Sequence, residues 1–126
     1  MFISSYEAKM NKNGSLRLPG PILEKCACDS LYITKGISEC LYAFPPEQWE
    51  EVLKWLYEKG DSPDRDEREF ARYIFGSVSI VDINKSKITI PQLLIIYAGL
   101  AEQVIIIGNY NRIEIWDKER YNNLSI

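Results

Sequence analysis

Tyr6, Ala8 and Met10 alternate with Ser5, Glu7 and Lys9, a period of two that predicts a half-buried strand. Residues 11–14 are turn formers, and Asn13-Gly14 is a strong hairpin signal. Leu16 and Leu18 then alternate with Ser15 and Arg17. A second strand is predicted that buries the leucines, turns Arg17 outward and ends at Pro19 and Pro21. Residues 22–26 follow as a short helix. Strands are predicted at residues 31–34 and 40–44, with a turn opening at Lys35-Gly36. Pro45-Pro46 starts a helix, because proline suits the first helical turn. Trp49, Val52, Leu53, Leu56 and Tyr57 lie on one face of that helix, and Gly60 stops it.

A charged connector spans residues 61–69. There Ser62-Pro63 reads as an N-cap followed by proline at the first helical position, with acids in the first turn. Phe70, Tyr73 and Ile74 give the connector an apolar stripe, and its acids read as a solvated face. Val78 and Ile80 begin a second series of strands. Residues 84–86 form a turn, Ile88 and Ile90 alternate up to Pro91, and residues 92–98 form a short helix ended by Gly99. Strand, turn and strand follow at residues 104–107, 108–111 and 112–116, and a last helix starts in residues 117–121.

The two series are related by a shift of 72 residues. Leu16, Leu18 and Pro19 fall on Ile88, Ile90 and Pro91; Ile22 and Leu23 on Leu94 and Ile95; Ile33 on Ile105; and Gly36 on Gly108. Residues 41–44 fall on 113–116, and Glu47 and Trp49 on Glu119 and Tyr121. A fixed period of this kind marks a duplicated supersecondary unit. Each unit is hairpin, short helix, hairpin, helix, too small to bury a good core alone. The expected division is a first repeat with its helix over 1–58, a helical connector over 59–74 and a second repeat over 75–126. The two intertwine as one domain, a pseudo-symmetric β-barrel with both first-hairpin tips on one side.

The 126 residues are 46% hydrophobic and 26% charged, a globular composition. No apolar run reaches the roughly 20 residues of a membrane span, and no signal peptide is read at the start. Cys26, Cys28 and Cys40 are an odd set without histidine. They read as reduced thiols in a cytosol, not as a zinc site. The lack of histidine excludes a conventional catalytic triad, and no glycine-rich phosphate loop is present. The expectation is a protein that is not an enzyme, with no metal, cofactor or small-molecule substrate.

Net charge is −3, but its distribution is uneven. Lys9, Lys12 and Arg17 place +3 on residues 9–17. Asp82, Lys85 and Lys87 place +1 on residues 82–91, leaving −7 on the rest. Basic hairpins on an acidic body suit a DNA-facing edge; solvated turn lysines are the alternative reading. Trp49 and Trp116 occupy repeated core positions, whereas Trp55 lies off its helix's stripe and is a candidate for a subunit interface.

Several stretches resemble a known family. They are the Met-Phe start, Leu-Arg-Leu-Pro at 16–19, Lys35-Gly36, Leu41-Tyr42 through Pro45 and Glu47-Gln48-Trp49. The most specific are Tyr97-Ala98-Gly99-Leu100 and Ile-Glu-Ile-Trp-Asp at 113–117. Across essentially the whole chain the sequence is similar to the MraZ proteins of the AbrB-like (SpoVT/AbrB) swapped-hairpin fold. The resemblance implies a mainly β fold with short helices, a duplicated barrel with pseudo-two-fold symmetry. It also implies a cytoplasmic, nucleoid-associated transcriptional regulator of the division and cell-wall gene cluster. Such a regulator binds direct repeats in promoter double-stranded DNA as a homo-oligomeric ring. The family's tip motif is Asp-x-x-Gly-Arg in each half. Here Gly14 matches, Asn11 stands at the acid's place and Ser15 at the arginine's. In the second tip Ile83, Ser86 and Lys87 take the three places, with Asp82 one residue early.

The candidate DNA-contacting residues are therefore Lys9, Asn11, Lys12, Asn13, Gly14, Ser15, Arg17, Asn84, Lys85, Ser86 and Lys87. Lys9, Lys12, Lys85 and Lys87 would meet phosphates. Asn11, Asn13 and Asn84 would meet phosphate or a base edge, with left-handed turn geometry as the other reading of Asn13. The second reading of function is an oligomeric interaction module without specific DNA binding.

Overall fold

The computed structural model describes residues 2–124. In chain order it forms β1 (Phe2–Lys9), β2 (Ser15–Arg17), α1 (Gly20–Cys26), β3 (Ser30–Lys35), β4 (Leu41–Phe44), α2 (Pro46–Gly60) and α3 (Arg65–Phe75). There follow β5 (Ser79–Asp82), β6 (Lys87–Thr89), α4 (Gln92–Ala98), β7 (Gln103–Tyr110), β8 (Arg112–Asp117) and α5 (Lys118–Asn122). The fold is mainly β, with helices capping an antiparallel sheet of order β1-β7-β8-β4-β3-β5 and a separate β2-β6 ribbon.

The pairing crosses between halves. β1 pairs with β7, β5 with β3, β4 with β8 and β2 with β6, while β3-β4 and β7-β8 pair within their own half. A pseudo-two-fold relates the halves, passing between Leu16 and Ile88 in the ribbon and between Tyr42 and Glu114 in the sheet. The core draws equally on both halves. Leu16, Leu18, Leu31, Ile33 and Leu41 pack in one cluster with Ile88, Ile90, Val104, Ile106 and Ile113. A buried aliphatic side chain of this size contributes about 2 kcal/mol, and neither half holds enough of them to fold by itself.

The register refines the repeat. β2 and β6 begin at Ser15 and Lys87, and α1 and α4 at Gly20 and Gln92, both intervals of 72. In the sheet, however, Tyr32 faces Phe44 while Ile105 faces Trp116. Tyr32 therefore corresponds to Ile105, Ile33 to Ile106 and Lys35 to Gly108, an interval of 73. The expected matches of Ile33 to Ile105 and Gly36 to Gly108 are displaced by one residue. The cause is a connection one residue longer before β7 than before β3, recovered in the tight β7-β8 turn.

The two tips differ in the same way. Ala8 faces Val104 and Val81 faces Leu31, so β1 and β5 also correspond at 73, and the first tip is one residue longer than the second. The second is a two-residue turn, with Asn84 N–H donating to Lys87 O at 2.8 Å and Lys87 N–H to Asn84 O at 3.0 Å. Its central residues, Lys85 and Ser86, have φ of 53° and 67°. This is the hairpin turn that glycine and asparagine favour, filled here by residues whose Cβ strains it.

Pro45 and Pro46 open α2 and Gly60 closes it. Trp49 and Leu56 are buried against Phe44, Ala71 and Ile74, and the Trp49 ring stacks on Tyr32 at 5.3 Å. Tyr57, expected on the apolar face, is 72% exposed, because one helical step past Leu56 turns it about 100° away from the core. Trp55 is partly used within the chain, its ring 5.8 Å from that of Phe70. The helix α3 does not start at Ser62-Pro63. Asp64 is its N-cap, with Oδ1 accepting from Asp66 N–H at 3.1 Å. The Ser62 hydroxyl is instead engaged by Glu67 at 2.8 Å and by the Asp64 N–H at 3.1 Å. A carboxylate at the cap satisfies the orphan N–H and also complements the helix dipole.

One buried carboxylate ties the β7-β8 hairpin together. Glu114 accepts from Trp116 Nε1 at 3.0 Å, Asn109 Nδ2 at 2.8 Å and Arg112 Nη2 at 2.9 Å. The Arg112 guanidinium lies 4.3 Å from the Tyr42 ring centre. Burial pushes this carboxyl up, but the bonds from Asn109, Trp116 and Arg112 and the Arg112 charge outweigh it and hold it below its ordinary 4.5.

These two sites set stability in opposite senses. Glu114→Ala strands Arg112 and Trp116 Nε1 and is expected to cost about 3 kcal/mol in urea unfolding. Because the folded pKa is depressed, Glu114's contribution is complete above its unfolded value and is lost as pH falls through the folded one. Stability of the native chain should therefore drop below about pH 4.5 more steeply than that of Glu114→Ala. Conversely, Ser86→Gly relieves a positive φ and should raise stability by about 0.5–1 kcal/mol; an unchanged or lowered denaturation midpoint would contradict the strain assigned to that turn.

Candidate nucleic-acid interface

The strand alternation that predicts β2 also decides what the ribbon shows to solvent. Leu16 and Ile88 face each other and are buried, as are Leu18 and Ile90 beyond them. The intervening residues therefore point outward: Ser15 opposite Thr89, and Arg17 opposite Lys87. Arg17, Lys87 and Thr89 are exposed and Ser15 is half-buried. Two cations thus stand side by side on the outer face, their Cα atoms about 5 Å apart as cross-strand partners.

The tips sit at opposite ends of this ribbon. Ile90 N–H donates to Gly14 O at 3.0 Å at one end, and Leu18 N–H to Ser86 O at 2.9 Å at the other. From Gly14 to Leu18 is four residues, or about 13 Å of extended strand. Arg17, which by sequence belongs with Lys9 and Lys12, therefore stands at the end of the ribbon nearer the second tip, beside Lys87.

The first tip is a three-residue loop closed by a glycine bulge. Asn11 N–H donates to Ser15 O at 2.9 Å and Gly14 N–H to Asn11 O at 3.0 Å. The Asn11 side-chain oxygen accepts from the N–H groups of Asn13 and Ser15, each at 2.9 Å. Asn11 thus performs with an amide oxygen the turn-closing work that a carboxylate oxygen does equally well. Gly14, not Asn13, takes the left-handed conformation, with φ of 83°; the left-handed reading of Asn13 is overturned, because the bulge residue and not the one before it carries positive φ. A Cβ on Gly14 would lie 2.9 Å from Ile90 O and from Ile95 Cδ1, so the position is closed to larger residues twice over. In the second tip the hydrogen bonds make Asn84 the counterpart of Asn11. The acid's place assigned to Ile83 by a uniform 72-residue shift therefore belongs to Asn84.

Lys9, Asn11, Lys12, Gly14, Ser15, Arg17 and Lys87 all line one open groove of about 1480 Å³, which Gln92, Ile95 and Glu102 also line. Asn13, Asn84, Lys85 and Ser86 lie outside that lining. Glu7, on the groove's rim, is paired with Lys118 at 2.9 Å. Among the described residues no carboxylate pairs with Lys9, Lys12, Arg17, Lys85 or Lys87. Sequence reasoning missed Thr89 and Gln92. Thr89 was findable as the next outward position after Lys87; Gln92 was not, since nothing in the pattern brings the start of α4 beside the first tip.

Comparison with known proteins places this chain in a family. A family model described as "MraZ protein, putative antitoxin-like" matches residues 84–125. The chain is 36% identical over 126 residues to the transcriptional regulator MraZ of Finegoldia magna, covering 99% of this chain and 87% of that protein. It is 32% identical over 130 residues to that of Clostridium tetani, with 100% and 90% covered, and 33% identical over 126 residues to that of Acetivibrio thermocellus, with 99% and 87% covered. With that identity sustained from end to end, the chain belongs to the MraZ family.

Proposed function

We propose that the chain is a transcriptional regulator that binds double-stranded DNA through the β2-β6 ribbon. The observation that carries this reading is the Arg17-Lys87 pair. Like charges placed directly opposite on a sheet destabilise it, and these two have no carboxylate partner among the described residues. A polyanion relieves that repulsion. A two-stranded ribbon also fits the width of the DNA major groove. In that pose Arg17 and Lys87 meet base edges or the flanking phosphates, Ser15 and Thr89 add hydroxyls, and Lys9, Lys12 and Lys85 meet phosphates. Asn11 holds the first tip in shape. The relatives named as transcriptional regulators support the same reading.

The finer reading is that a cytoplasmic, nucleoid-associated ring of copies binds direct repeats in the promoter of a division and cell-wall gene cluster. Each chain would supply the two intertwined repeats 1–58 and 75–126, joined by 59–74. One ribbon with five or so cations binds weakly, and several ribbons on tandem sites gain by effective concentration. A second reading, an oligomeric interaction module without specific recognition, is favoured by Ser15, which fills the arginine's place in the family motif and offers no fork for guanine.

Titration against DNA with tandem short repeats and against scrambled DNA, at two salt concentrations, tests the proposal. The regulator requires tighter, cooperative binding to the repeats. Lys12→Ala and Lys87→Ala should each reduce the slope of log affinity against log salt by about 1 per ribbon. Arg17→Ala should cost about 1–3 kcal/mol and relax sequence preference. Equal, weak binding to both DNAs would overturn the regulator and leave the interaction module.

A further inference from the structure

Opposite the sheet pairing that leads into the second tip lies a pair of thiols that the DNA reading does not use. The helix α1 ends at Cys26, its C-cap Ala27 is left-handed with φ of 45° and ψ of 43°, and Cys28 follows. In the other half the same cap is Gly99, with φ of 62°, between Ala98 and Leu100. The packing at that place is therefore satisfied by apolar side chains around a glycine. The first half instead carries a strained alanine between two cysteines. A left-handed residue compresses the distance between its neighbours' Cα atoms to about 5.5 Å, within the range a disulfide spans. The Cys28 thiol donates to Ser30 O at 3.3 Å. Cys26 is buried and Cys28 half-buried.

The loop that holds them supports the second tip. Asp29 O accepts from Ile83 N–H at 2.8 Å, one residue before Asn84, and Ser30 pairs with Asp82. Cys28 and Ile83 both pack on the rim of the main core.

We propose that Cys26 and Cys28 form a reversible redox dithiol whose closure to a disulfide loosens the second tip. Cys28, the more accessible thiol, attacks a low-molecular-weight disulfide as its thiolate. A bond forms between its Sγ and one sulfur of the reagent, and the other sulfur leaves as a thiolate. The Cys26 thiolate then displaces the second half from Cys28. Two electrons pass to the reagent, the two protons released by the cysteines end on the two departing thiolates, and the Sγ–Sγ bond remains. Burial raises both thiols, the Cys26 one to about 12, and the greater exposure of Cys28 orders the two steps. A ring closed over three residues gains the least chain entropy of any disulfide with a residue between its cysteines, so it is readily reduced again. Cys40, buried in a different cluster with its thiol donating to Ile37 O at 3.2 Å, is not part of the pair.

The test uses the full chain exposed to oxidised glutathione, with free thiols then alkylated and the protein cut by trypsin. Cleavage after Lys25 and Lys35 releases Cys26 and Cys28 on one peptide without Cys40. Expected is that peptide, unalkylated and lighter by two hydrogens, while Cys40 is alkylated. Amide exchange at Ile83 should quicken about tenfold in the oxidised form and return on reduction. Cys26→Ala and Cys28→Ser should each abolish the exchange response. The inference on DNA rests on the function proposed above: affinity should fall about threefold or more on oxidation. If neither form binds DNA while the peptide and exchange results hold, it is that function which fails, not the dithiol. Glutathione retained on Cys28, no oxidation, or a disulfide with unchanged exchange at Ile83 would overturn the proposal.

Discussion

Everything in this molecule depends on a pairing that neither half can make alone. The strands β2 and β6 are three residues each, too short to be stable as a separate ribbon in water. They persist because Leu16 and Leu18 and their counterparts Ile88 and Ile90 are driven together over a shared core. Burying that face leaves the opposite face no choice of direction, and a shift of one residue would exchange the two. The outward placement of Arg17 and Lys87 is thus a consequence of where the leucines and isoleucines must go. Hydrophobic burial on one side of the ribbon fixes the electrostatics on the other.

How much of this could be read from the chain follows from the range of each interaction. The ends of α2 and α4 were legible because Pro45 and Pro91 at their starts, and Gly60 and Gly99 at their ends, act locally on φ and hydrogen bonding, whereas α1 begins at Gly20, two residues before the expected start, because Pro21 sits inside its first turn. The buried faces of β2 and β6 were legible because alternation is a local pattern. The family resemblance supplied the swapped topology, which periodicity alone does not contain. What escaped were matters of one residue. The second tip lacks a residue that the first one has, and only hydrogen bonds across the turn reveal that Asn84, not Ile83, matches Asn11. Ser62 looked like a cap in isolation, but Glu67, five residues on, engages its hydroxyl and leaves the cap to Asp64.

The candidate site divides in the same way. Lys9, Lys12 and Arg17 lie close in sequence and share the groove, yet Arg17 stands nearest to Lys87, seventy residues away, because antiparallel pairing folds the strand back. Likewise Glu114, one of the residues at which the sheet's two halves meet, is held by Arg112, Trp116 and Asn109, which converge on it within a hairpin whose strands the sequence shows but whose register it does not. Its counterpart across the pseudo-two-fold is Tyr42, so the halves solve the same position once with a charge and once with a ring.

That divergence bears on recognition. In a ribbon made of two identical strands, a residue at one end would recur at the other, and the surface would suit a palindrome. Here the positions equivalent by the 72-residue interval differ: Ser15 against Lys87, and Arg17 against Thr89. Antiparallel pairing sets Arg17 beside Lys87 at one end and Ser15 beside Thr89 at the other. Both strong charges therefore gather at a single end, and the ribbon has a direction. On the proposed function, a directional ribbon would fix its own orientation at every DNA site, and a series of such ribbons all turned the same way would match repeats that run head to tail. Duplication within one chain is what makes this possible, since two copies of a shorter chain could not place different residues at the two ends.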